Sequence, residues 1–235
     1  MAIYLLRHGE SEGNFLKVNQ GRIDLPLTAR GREQAATAGR WLAGLGIEPE
    51  VIYASPLRRA WETAEIIIQQ LKEGMGPSPN PGAMSFSMHE EPDVIEYHAG
   101  HAEGLSEEEM VARFPSYEHR TLDERGCWAE FGGESYEDVQ TRLQRFIERV
   151  GREHSGAGLQ TRDGEPGAPP RSKDVICVSH GGSLYQLLKL WCGWPAPRHY
   201  FTRIGNCTCF KLQLREISGY LGAELQFMVP IELMY

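Results

Sequence analysis

The sequence predicts an α/β protein, a three-layer sandwich in which a mostly parallel central sheet is flanked by helices. Three observations carry this. Apolar runs at 2–6, 51–54 and 175–178 suit buried strands and are too short for helices. Segments with helical spacing lie between them, and strands alternating with helices are the pattern of a parallel sheet with helical crossovers. Alternation at 207–214 and 224–229 adds late strands.

Each element has its own signal. Thr28 is placed to cap a helix whose Ala35, Ala38, Leu42 and Leu45 form one apolar face. Ser55 and Pro56 read as N-cap and first helical position of a segment running to about Leu71. Ser106 with Glu109, and Ser135 with Asp138, resemble capping boxes and open two further helices. Ser183 leads into Leu184, Leu187, Leu188 and Trp191, again at helical spacing. Two segments break the pattern. Residues 74–87, with three prolines, and 151–173, rich in Gly, Pro and charge, are expected to be surface loops. Neither resembles a linker, because the third strand follows the longer one, so 1–235 is expected to form a single domain.

Composition narrows the function classes. The 235 residues include 24 Lys plus Arg against 32 Asp plus Glu, a net charge of −8, and 41% apolar residues supply ample core material. Acidity argues against a surface built to grip nucleic acid, whose affinity comes chiefly from Lys and Arg releasing counterions. No apolar run approaches the roughly 20 residues that cross a bilayer, and no membrane partner is expected. Five cysteines without a CxxC pair fit neither a disulfide framework nor a zinc site. They are expected to be reduced thiols, and the chain cytoplasmic.

In an open α/β sheet, ligands collect beyond the carboxyl ends of the strands. The first predicted strand is followed by Arg7-His8-Gly9-Glu10-Ser11, with Asn14 nearby, and the second by Ser55-Pro56-Leu57-Arg58-Arg59-Ala60. Ser179-His180-Gly181-Gly182-Ser183 follows the third. Any one of these is more often a structural histidine or a solvated basic face than a site. Their coincidence on three strand ends is what implies an anion pocket holding a candidate nucleophile. Gly9, Gly181 and Gly182 let backbone N–H groups approach a ligand oxygen, and a helix starting after Gly182 favours an anion.

These residues resemble the histidine phosphatase superfamily, also called phosphoglycerate mutase-like. The resemblance rests on Arg7-His8-Gly9-Glu10-Ser11 with Asn14, on Ser55-x-Leu57-x-Arg59-Ala60 with Thr63, and on Glu96-x-His98-x-Gly100 with Glu103-Gly104. Gly133-Glu134-Ser135 and Ser179-His180-Gly181 complete it. It implies that His8 is the nucleophile, forming a phosphohistidine that water hydrolyses. It further implies that Arg7, Arg59 and His180 cradle the phosphoryl group, with Asn14 and the Gly182 N–H as further donors, and that Glu96 is the proton donor. Arginine forks supply the positioning and positive charge that phosphoryl transfer needs, so no metal or other cofactor is expected. Two arginines beside His8 should also disfavour its imidazolium and keep a lone pair for attack. His98 and His101, three apart in a loop, lack the i,i+4 helical spacing of a zinc protease and are not assigned to a metal.

The family divides between hydrolases and mutases. Cofactor-dependent mutases typically carry Arg after the acid Glu and a paired Arg motif further on. Here Tyr97 follows Glu96, and 104–128 holds only the separated Arg113, Arg120 and Arg125. The expected activity is therefore that of a metal-independent phosphomonoesterase acting on a small-molecule phosphomonoester. The alternatives are a 2,3-bisphosphoglycerate-dependent phosphoglycerate mutase and a non-catalytic binder of phosphorylated ligands. Many family phosphatases have Trp where Ala102 stands, which is expected to alter the pocket wall. A homodimer is compatible with the sequence, which does not fix the oligomeric state.

Overall fold

The computed structural model describes residues 2–74, 87–120, 127–154, 174–192, 204–217 and 220–234. The elements follow in the order β1 (Ala2–Arg7), α1 (Glu12–Phe15), α2 (Ala29–Gly44), β2 (Pro49–Ala54), α3 (Arg58–Gly74) and β3 (Ser87–Glu90). After these come α4 (Glu107–Arg113), α5 (Tyr136–His154), β4 (Asp174–Ser179), α6 (Gly181–Cys192), β5 (Cys209–Ile217) and β6 (Tyr220–Val229). They form one six-stranded sheet in the order β3-β2-β4-β1-β5-β6. The pairs β1–β4, β4–β2 and β2–β3 are parallel, whereas β5 and β6 add antiparallel edges.

Strand periodicity of two decides what each face buries. Ile3, Leu5, Val51, Tyr53, Val175 and Cys177 pack under α5 and α6 with Leu143, Phe146, Leu187 and Trp191. Tyr4, Leu6, Ile52, Ala54, Ile176 and Val178 pack under α2 and α3, against Ala35, Ala38, Leu42, Ala64 and Ile67. Helices on both faces make the three-layer sandwich expected from the sequence. The second face is rich in alanine, which lets α2 and α3 approach the sheet and each other. The first relies on large side chains, and truncating one as buried as Phe146 typically costs about 3–5 kcal/mol.

Several boundaries shift for local reasons. Ser55 opens no helix; its hydroxyl meets His180, and α3 starts at Arg58. The helix expected from Ser183 starts two residues earlier, at Gly181. Cys207 is not in a strand, because its φ of 52° lies in the left-handed region, and β5 begins at Cys209. The segment 151–173 is a helix, not a loop, for its first four residues: Val139, Leu143, Phe146 and Val150 carry α5 through to His154. Residues 155–173 lie outside the described residues, as do 75–86. Ser87, at the end of the other expected loop, instead begins β3, an edge strand whose Ser-Met-His-Glu has no apolar run to announce it. Thr28, Ser106 and Ser135 cap as expected, the last two in reciprocal capping boxes. Among the described side chains, Cys127, Cys177, Cys207 and Cys209 are free thiols. No described helix is long and apolar enough to cross a membrane.

Candidate active site

The strand order β2-β4-β1 brings three carboxyl ends together. Arg7 is the register partner of Ser179, and Ala54 that of Val178. Two further bonds extend the ladders past the strands, from His8 N to the Ser179 carbonyl and from Ser55 N to the Val178 carbonyl, each 3.0 Å. His8 and His180 therefore face each other with ring centroids 5.1 Å apart, and both are buried.

Hydrogen bonding fixes their tautomers. His8 Nδ1 lies 2.6 Å from the Gly9 carbonyl oxygen, which can only accept, so Nδ1 carries the proton and Nε2 the lone pair. Arg59 Nε–H can only donate, and it meets His180 Nδ1 at 3.2 Å. His180 therefore carries its proton on Nε2 and donates it to Ser55 Oγ at 2.7 Å. The two facing rings hold opposite tautomers.

Neither ring takes a second proton readily. Burial pushes His8 well below the ordinary histidine range, and the charges of Arg7 and Arg59 add to the effect against the opposing Gly9 hydrogen bond. Burial likewise lowers His180, followed by Arg59, His8, Arg7 and Arg142. The arginine effect expected from the sequence is present, but desolvation is larger. Arg59, itself buried, is pushed down to about 10, so it stays charged at neutral pH. Its Nη1 and Nη2 reach the carbonyls of Ile23 and Gly21, both at 2.8 Å. Arg7 donates from Nη1 to the Ile204 carbonyl and lies beside Gly181.

The backbone near the nucleophile is held by neighbours. Thr63 Oγ1 donates to the Arg59 carbonyl at 2.7 Å and accepts from Gly9 N at 3.1 Å, tying α3 to the loop after β1. A Cβ on Gly9 would come within 2.3 Å of the Gly31 carbonyl oxygen, so the approach of this loop to α2 requires glycine.

Glu96 lies across the start of α6. Its Oε2 accepts from Gly182 N at 3.2 Å, and its Oε1 from Ser183 N and Tyr97 N, both at 3.1 Å. A carboxylate is favourable at a helix N-terminus. Two groups expected to contact phosphate have protein partners in this structure. Gly182, assigned to a phosphate oxygen, gives its N–H to Glu96. His180, assigned to the phosphate cradle, spends both nitrogens on Arg59 and Ser55.

Tyr97 and Ala102 are drawn inward. Tyr97 is buried, donates its hydroxyl to the Gly182 carbonyl at 3.1 Å, and lies so close that a Cβ on Gly182 would come within 2.0 Å of its ring. Ala102 is fully buried within the core on the α5–α6 side. Both side chains therefore pack into the protein interior.

Three polar residues not singled out in the sequence support the site. Arg22 donates from Nε to the Glu96 carbonyl at 3.2 Å and from Nη2 to Glu134 Oε1 at 2.8 Å. Buried Arg142 reaches Glu134 Oε1 at 3.2 Å from Nε and the Asp93 carbonyl at 2.7 Å from Nη1. The third, Asn206, contacts the His8 carbonyl and Asn14. Only the motif position of Glu134 hinted at the ion-pair network; two isolated arginines on separate elements leave no pattern in the chain. Arg142 is the buried member, and its charge would be left uncompensated if Glu134 were removed.

A family model settles the relationship. The histidine phosphatase superfamily (branch 1) matches residues 3–221. The chain belongs to that superfamily. It is 27% identical over 215 residues to the uncharacterized phosphatase PhoE of Bacillus subtilis, covering 92% of this chain and 89% of that protein. It is 26% identical over 186 residues to a 2,3-bisphosphoglycerate-dependent phosphoglycerate mutase of Bartonella henselae, covering 79% of each. Among solved structures, mycobacterial glucosyl-3-phosphoglycerate phosphatase complexed with VO3 superposes with a TM-score of 0.73 at 26% identity, covering 96% of this chain and 97% of that one. Membership of this superfamily and the phosphatase homologues support a phosphoric monoester hydrolase.

Proposed function

We propose that this chain is a phosphomonoesterase that works through a phosphohistidine on His8, with Glu96 as proton donor. The observation that carries the reading is the pairing of His8 with His180 at 5.1 Å beside buried Arg59, with the His8 Nε2 lone pair set by the Gly9 hydrogen bond.

In the first step His8 Nε2 attacks phosphorus, the bond from phosphorus to the ester oxygen breaks, and Glu96 delivers to that oxygen the proton it carries when the phosphate dianion lies against it. Water then attacks the phosphohistidine, Glu96 accepts a proton from it, and the P–N bond breaks to release phosphate. His8 needs no deprotonation to begin, since burial and two guanidinium groups already hold it neutral. Arg7 and Arg59 balance the charge on the equatorial oxygens, with Asn14 as a further donor. His180 acts by orienting Arg59 Nε, and a direct contact with phosphate calls for exchange of its Ser55 or Arg59 partner. The N–H groups of Gly182 and Ser183 orient Glu96.

The substrate reading is a small-molecule phosphomonoester. Tyr97, buried where mutases carry an arginine, supports hydrolysis over mutation. The test incubates the protein with p-nitrophenyl phosphate without added metal, and separately with 3-phosphoglycerate plus catalytic 2,3-bisphosphoglycerate. Phosphate release that His8→Ala abolishes is expected. Isomerisation without release would replace the hydrolase with a mutase, and binding without turnover would leave a non-catalytic binder.

A further inference from the structure

The loop before β5 touches the nucleophile from behind. Asn206 Nδ2 donates to the His8 carbonyl at 3.0 Å and to Asn14 Oδ1, also at 3.0 Å. Because the His8 carbonyl can only accept, the amide of Asn206 has one possible orientation, with its NH2 group toward β1. The same NH2 group, together with the Ser11 N–H, sets the orientation of Asn14. Asn14 Oδ1 also accepts from Ser11 N at 3.2 Å, while the Ser11 hydroxyl, 3.0 Å away, has a shorter acceptor in Gln20 Oε1 at 2.8 Å. The Ser11 and Asn206 N–H donors thus converge on one end of the Asn14 amide and turn its Nδ2 hydrogens to the opposite side.

The backbone beside Asn206 shows how firmly this contact is set. Cys207 lies at φ 52°, a left-handed conformation uncommon for a residue other than glycine. It is kept there by its own N–H, which reaches the carbonyls of Arg7 at 3.1 Å and His8 at 3.3 Å. Arg7 N returns a bond to the Thr208 carbonyl at 3.2 Å. The turn therefore grips the Arg7–His8 backbone on both sides, and Asn206 extends that grip to Asn14.

We propose that Asn206 is a positioning residue: its single NH2 group fixes the His8 carbonyl and the Asn14 amide together, presenting the Asn14 Nδ2 hydrogens to the phosphoryl oxygens. This rests on the phosphatase reading above. Asn206 touches no substrate and acts only through the two residues it orients.

The test is a double-mutant cycle of Asn14→Ala and Asn206→Ala, read in kcat and KM for p-nitrophenyl phosphate and in orthovanadate affinity. Circular dichroism and melting confirm that each variant folds. Asn206→Ala alone is expected to lower kcat/KM about tenfold, less than the 100- to 1,000-fold typical of deleting a donor outright, with the loss mainly in kcat. In the Asn14→Ala background the same change is expected to cost much less, because there is no amide left to orient. Asn206→Asp, which places an acceptor against two acceptors, should lose more than the alanine variant. Equal losses in both backgrounds would overturn the proposal and make Asn206 a structural residue of its turn. If the wild type turns over no substrate, the phosphatase reading fails, while the orthovanadate cycle still decides the positioning role.

Discussion

Two regions of this molecule pair buried rings with charged neighbours, and they do so with opposite sign. At the carboxyl ends of β1 and β4, His8 and His180 lie beside Arg59 and Arg7. At the other region, next to the β2–β3 edge, Tyr53 donates to Glu153 at 2.9 Å and contacts His154 at 3.2 Å, while His154 Nδ1 lies 3.6 Å from Glu50. A cavity of about 410 Å³ opens there, lined by Glu50, His89, Glu90, Arg149 and Glu153 among others. Histidines packed beside charged side chains are thus present twice. Carboxylates at the β2–β3 edge repel a phosphate dianion, whereas guanidinium groups at the strand ends attract one. The sign of the surrounding charge, rather than the presence of imidazole, separates a candidate phosphoryl-transfer site from a structural cluster.

The sharpest way to break this contrast is to remove one histidine from each region. His8→Ala is expected to lower phosphate release about a thousandfold or more, since the nucleophile is gone. His154→Ala should leave kcat/KM for p-nitrophenyl phosphate unchanged. Comparable losses from both would erase the distinction.

The next largest effect concerns the charge itself. Arg59→Ala is expected to lower kcat about 100- to 1,000-fold, and Arg59→Lys should recover little. A lysine cannot reproduce a fork that bonds His180, Ile23 and Gly21 at once. Steady-state kinetics on both variants decide this, and full recovery by lysine would reduce Arg59 to a point charge.

How far the sequence revealed these regions follows from the kind of signal each left. His8, Arg59 and His180 sit at fixed offsets from apolar strand runs, and the parallel order of β1, β4 and β2 converts those offsets into proximity. Asn206 sits in a turn whose left-handed Cys207 has no glycine to mark it. β3 is four residues at an edge, each paired with β2, and its own side chains carry no strand signal. The Glu96 carboxylate could be assigned a role by motif, but its seat on the α6 N-terminus depends on the loop geometry around Tyr97 and Gly182. The motif places Tyr97 and Ala102 beside functional residues in the chain, which does not decide where their side chains point. The hydrophobic packing of α5 and α6 draws both inward instead.

Protonation gives a third contrast. The folded protein keeps His8 and His180 neutral, whereas both rings take protons in the unfolded chain below the ordinary value of 6.5. Their contribution to stability is therefore complete above about 6.5 and declines as pH falls below it. The decline is about 1.4 kcal/mol per pH unit for each ring until the native ring itself protonates. Urea midpoints measured from about pH 7.5 down to pH 5 should fall more steeply for the wild type than for His8→Asn. Equal slopes would show that the site does not hold that ring neutral.

The smallest expected effect lies at the β2–β3 edge. Tyr53→Phe removes a hydroxyl bonded to Glu153 and His154 and should cost about 1 kcal/mol of stability, with kcat unaffected. A fall in kcat would couple the two regions.

The chemistry is tested most directly by trapping the covalent intermediate. Rapid acid-free quenching with a 32P-labelled phosphomonoester, followed by peptide mapping, should find label on the peptide containing His8, stable in alkali and released by acid. Turnover with no phosphoenzyme, or with label on another side chain, would contradict a phosphoryl group carried by His8 between the facing imidazoles.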